Sequence, residues 1–62
     1  MKPVTLTAEL TDAQAFVFAQ FLKRVGVIDY RALAVDDDEA YTMLDAGEVI
    51  RAALREVGYA PR

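Results

Sequence analysis

Residues 11–25, TDAQAFVFAQFLKRV, hold the densest apolar run of the chain, and whatever else forms must pack against it. On a helical projection Val17, Phe18, Phe21, Leu22 and Val25 share one side with Ala15 at its edge, while Gln20, Lys23 and Arg24 lie opposite. The spacing predicts an amphipathic helix. Thr11 followed three residues on by Gln14 has the capping-box pattern, Asp12 suits the positive N-terminal end, and Lys23 and Arg24 suit the negative C-terminal end. Gly26 is expected to be the left-handed residue that stops the helix.

A chain of 62 residues is read as one domain, and such a domain buries only about 60% of the surface its unfolded chain exposes, so it needs outside support. Without cysteine there can be no disulfide, and with neither cysteine nor histidine a structural zinc site lacks its usual ligands. A partner chain is the support that remains. No stretch approaches the roughly 18 consecutive apolar residues of a membrane span, and the N-terminus lacks a signal peptide's charged and apolar regions. A cytoplasmic protein with no membrane contact is therefore expected.

The expected fold class is mainly α: an N-terminal β-strand, then two main helices joined by a short connecting helix. In residues 2–9 the alternation of Val4, Leu6 and Ala8 with Pro3, Thr5 and Thr7 has the period of a half-buried strand. A lone strand cannot satisfy its own backbone, so it is expected either to pair across a homodimer axis through residues 2–9 or to lie extended across the helices. Residues 27–35, VIDYRALAV, fit a short helix capped by Asp29 and running through Ala34, burying Tyr30 or Leu33, and also fit a second strand. The alanines and the arginine favour the helix. From the aspartates onward an apolar period runs to Val57, with Met43, Ala46, Gly47, Ile50, Ala53, Leu54 and Val57 on one face and Gly58 as the stop. Gly47 on a buried face suggests close approach by another backbone. Phe16, Tyr41, Leu44 and Val49 miss these stripes, which suggests more buried surface than one small chain supplies.

Net charge is only −3, but Asp36, Asp37, Asp38, Glu39, Asp45 and Glu48 fall in one window without a basic residue. Capping of the last helix accounts for some of them. The run lacks the central glycine of a calcium loop, and paired aspartates at an exposed helix start have no pocket to raise a carboxyl pKa for acid–base work. What remains is a recognition surface, six carboxylates imitating a row of phosphates toward a basic groove, with Tyr41 anchoring its edge. Histidine, cysteine and serine are all missing, so no nucleophile–base pair is available, and three dispersed glycines cannot form a phosphate loop. Neither an enzyme nor a cofactor or metal is expected.

Strand, helix, turn and helix in about sixty residues resembles the ribbon-helix-helix class of dimeric DNA-binding proteins, an alternative in which Lys2, Thr5 and Thr7 would face the major groove. The run from LTDAQAFVFAQFLKRVG through DYRALAVDDDEAYTMLDAGE to LREVGYAPR resembles a set of short uncharacterised proteins of proteobacterial chromosomes, prophages and plasmids. In size, acidity and lack of catalytic residues the chain is also similar to anti-CRISPR proteins. That resemblance implies a non-enzymatic inhibitor from a mobile element that binds a host CRISPR-type complex without touching nucleic acid itself. An assembly accessory with no inhibitory role is a third reading.

Overall fold

Short-range signals place the helix ends. The computed structural model describes residues 2–61 and contains three helices, α1 (Asp12–Arg24), α2 (Val27–Leu33) and α3 (Asp37–Glu56). At the start of α1 both capping-box bonds form: the Gln14 N–H donates to Thr11 Oγ1 at 3.1 Å, and the Thr11 N–H donates to Gln14 Oε1 at 2.9 Å. α3 opens on Asp36, whose Oδ1 accepts from the Glu39 N–H at 2.8 Å, while Asp37, Asp38 and Glu39 occupy the positive first turn. It closes at Gly58, φ +104°, with the Gly58 N–H donating to the Arg55 carbonyl and the Tyr59 N–H to the Leu54 carbonyl, the paired bonds of a Schellman ending.

Two expected details are corrected between α1 and α2. Gly26 is not left-handed: it sits in extended backbone as the N-terminal cap of α2, and Val25 ends α1. Asp29 is not the cap but the third helical residue, where its Oδ2 reaches back to accept the Gly26 N–H at 2.8 Å. That bond starts α2 within two residues of the end of α1 and settles residues 27–33 as helix.

The expected N-terminal β-strand is absent. Among the described residues there is no strand at all, and residues 2–10 form an arm without regular secondary structure, exposed along its length. The alternation of Val4 and Leu6 is real, but a strand needs a second backbone to bond, and residues 27–33 are spent on α2. Within the single chain, residues 2–9 therefore supply no strand on which a ribbon face of Lys2, Thr5 and Thr7 could be built.

α3 is the central element; α1 and α2 both pack on it and not on each other. The result is a flat body of 34 × 29 × 16 Å. Its core is small, comprising Ala15, Ala19 and Leu22 from α1 with Leu54 from α3, Tyr59 packed against them, and Ala40 buried separately. The buried stripes are rotated from those expected. On α1 the alanine side faces inward and leaves Val17 64% and Phe21 52% exposed. On α3 the inner row is Ala40, Met43, Leu44, Gly47 and Leu54, while Ala46, Ile50, Ala53 and Val57 face solvent. Small side chains let helix axes come close, so the contact is made along the alanine rows and the bulkier residues turn outward.

Leu33, expected as a buried option of α2, is 84% exposed; Tyr30 is the one half-buried. Tyr30 also explains Gly47. A Cβ there would collide with the Tyr30 hydroxyl and come within 3.3 Å of its Cζ, so the close approach that Gly47 permits is by a side-chain ring, not a backbone. No helix among the described residues is long and apolar enough to cross a membrane.

Candidate functional site

The acidic window divides into two groups by what each carboxylate already does. Asp36 caps α3, and Glu39 accepts the Val35 N–H at 3.3 Å, so both hold the α2–α3 turn. Asp37 is bridged by Arg31 of α2, Nε to Oδ1 at 3.1 Å, and the same guanidinium lies 6.0 Å from the Tyr41 ring centre and donates to its hydroxyl at 3.5 Å. Tyr41 is thus held at the edge of the patch by a cation of the same chain. Glu48 meets Arg51 one turn on at 3.7 Å, a loose exposed pair of little energetic weight.

Asp38 and Asp45 are different. Seven residues apart, they project from the solvent side of α3, and among the described residues no lysine or arginine pairs with either. Glu56 falls on the same row and is equally unpaired, at a position outside the acidic window of the sequence. Its period with Asp38 and Asp45 was the available signal, obscured by the neighbouring Arg55. The seven residues from Asp38 to Asp45 set their α-carbons about 10 Å apart along the helix, and α3 as a whole presents an anionic row roughly 27 Å long. Among the described residues no group of three or more His, Cys, Asp or Glu is placed to hold a metal ion.

A second surface lies between α1 and α2. Because α1 and α2 meet α3 but not each other, an open groove of roughly 690 Å³ runs between them, with Phe16, Val17 and Phe21 on one wall and Tyr30 and Leu33 on the other. A shallower apolar hollow at the start of α1 is formed by Leu10, Ala13, Gln14, Val17 and Phe18. Phe18 and Phe21 stack with ring centres 5.5 Å apart, which holds the outer face of α1 in a defined shape.

The two ends of the chain are tied by Tyr59, whose hydroxyl donates to Asp12 Oδ1. That hydrogen bond is the main cause that raises the Tyr59 pKa above its ordinary 10.0, helped by desolvation and by the negative charge of Asp12. The bond stabilises the fold only while the hydroxyl keeps its proton, so its contribution is complete below pH 10.0 and disappears as pH rises through the higher folded-state value. Tyr59→Phe is accordingly expected to be less stable than the parent in urea at pH 7, with the gap closing in strongly alkaline buffer. A gap that stays constant with pH would assign the loss to packing instead.

Comparison with curated proteins and with solved structures finds no match for this chain. A family of unknown function, DUF7706, matches residues 1–62, and the chain belongs to that family.

Proposed function

We propose that this protein acts by binding, presenting the solvent face of α3 to a basic protein surface of the kind that normally holds nucleic acid. In the specific form of the proposal the target is a CRISPR-type defence complex, the chain is an inhibitor carried by a mobile element, and it works in the cytoplasm. Asp38, Asp45 and Glu48 make the principal contacts, Glu56 extends the row, and Tyr41 anchors one edge. Asp36, Asp37 and Glu39 hold that edge in shape, through the helix cap, the Arg31 bridge and the bonded turn.

The single observation that supports this reading is the exposed pair Asp38 and Asp45, carboxylates that neither cap the helix nor pair with a cation among the described residues. Carboxylates spent on folding would have little left for a partner. Neither of these two is bonded to a cap or a cation, Asp38 serving the fold only through the positive first turn of α3, and an unpaired anionic row is attracted to the phosphate-binding arginines and lysines of a nucleic-acid channel.

The test uses purified effector complexes from the host. Saturating protein is expected to displace target DNA from one of them, its own binding should weaken steeply as salt is raised, and Asp38→Asn with Asp45→Asn should weaken it by about tenfold or more without loss of helix. DNA binding that is unchanged across the effectors, or inhibition that survives both substitutions, rejects the proposal.

A further inference from the structure

The chain has more exterior than its mass warrants. A folded monomer of 6.9 kDa exposes about 4000 Å², whereas this one exposes 5325 Å². Its radius of gyration is 12.6 Å, against about 10.5 Å for a compact chain of this length. The excess is about 1300 Å² on the same scaling, and the arm, with Val4 84% and Leu6 76% exposed, and the outer face of α1, with Val17 64% and Phe21 52% exposed, both contribute to it. On that face Val17 and Phe21 stand one turn apart, and Leu10, just ahead of the Thr11 cap, lines the hollow beside Val17.

We propose that the outer face of α1 is covered by a second copy of the same chain, with the two α1 helices packed antiparallel about a twofold axis near Val17. Three observations select this occupant. The first is shape: an axis at Val17 sets Phe21 of each copy into the hollow formed by Leu10, Ala13 and Gln14 of the other. Charge is the second. Glu9 lies just ahead of α1 and Arg24 ends it, so an antiparallel pair brings each Glu9 beside the other copy's Arg24, twice by symmetry, where a parallel pair would set like charges together. The third is area. Two copies hiding their excess surface bury about 2600 Å² in total, within the range of permanent homodimers.

The same arrangement employs the arm. Residues 2–10 leave from the start of α1, while the groove between α1 and α2 is lined from Phe16 through Val25 and so lies toward the other end of that helix. In the antiparallel pair the partner's groove is the nearer one, and Val4 and Leu6 can enter it. The acidic row on α3 lies outside this contact and is displayed once by each copy.

Sedimentation equilibrium of the whole chain at micromolar concentration is expected to give twice the 6.9 kDa chain mass. Phe21→Glu, at a position exposed within one chain, should keep the helical circular dichroism while raising the dimer dissociation constant by about thirtyfold or more. Glu9→Arg and Arg24→Glu should each weaken the dimer, and the double variant should restore it. A wild-type monomer overturns the proposal, whether its own arm has folded into its groove or another protein is the true occupant. So does a dimer that Phe21→Glu leaves intact. Should Phe21→Glu lose its helix, the charge exchange decides alone, and failure of the double variant to recover rejects the antiparallel pairing.

Discussion

Leu22→Ala should leave this chain largely unfolded at physiological temperature. Leu22 is 5% exposed, and among the described residues the only other large aliphatic side chain classed as buried is Leu54; the rest of the buried cluster is alanine, with Tyr59 packed against it. Truncating a buried leucine removes about 2–5 kcal/mol through lost transfer free energy and the cavity left behind. A core of this size supplies a total of about 3–5 kcal/mol, so one substitution consumes most of it. The alanines around it have no side chain that could move into the cavity. Ile28→Ala is the matched control: Ile28 is 76% exposed, and its truncation should change stability by no more than about 0.5 kcal/mol. Urea unfolding followed by circular dichroism compares the two. A Leu22→Ala protein that unfolds near the wild-type midpoint would mean that the core lies elsewhere.

Gly47→Ala is expected to destabilise despite placing a better helix former inside α3. The intrinsic gain from glycine to alanine is about 1 kcal/mol. Against it stands the Tyr30 ring, whose hydroxyl occupies the space the new methyl needs, with Leu22 Cδ2 a further 3.8 Å neighbour. Forcing a methyl into filled space costs about 1–3 kcal/mol, and moving Tyr30 also loosens α2 from α3, so the expected net loss is about 1–2 kcal/mol. A Tyr30→Phe background removes the colliding atom and leaves the 3.3 Å approach to Cζ. There Gly47→Ala should be neutral or stabilising, with a coupling between the two sites of about 1 kcal/mol or more. A stabilising Gly47→Ala in the wild-type background would show that the ring is not seated on the glycine. Both predictions converge on one place, where Leu22 of α1, Tyr30 of α2 and Gly47 of α3 meet.

The candidate site was half legible. All of its acidic residues but Glu56 could be read as a cluster, but not how they divide: Asp36 and Glu39 turned out to be structural and Asp37 bridged, with Asp38 and Asp45 left without a cation. That division depends on Arg31 arriving from α2 and on the turn that carries Val35, neither of which has a sequence signature. Glu56 joined the row only once the phase of α3 was known.

What the amino-acid order determined alone is where α1 begins and where α3 begins and ends. Thr11 with Gln14, Asp36 at the start of α3 and Gly58 at its end act through bonds spanning three to five residues, so each is decided within its own segment. Which side of each helix is buried was decided by the tertiary structure. Apolar residues surround most of α1, so its projection does not single out one inward face, and close packing on α3 selected the alanines. The fate of residues 2–10 was decided in the same way: alternation can propose a strand, but only a second backbone with free donors and acceptors can make one.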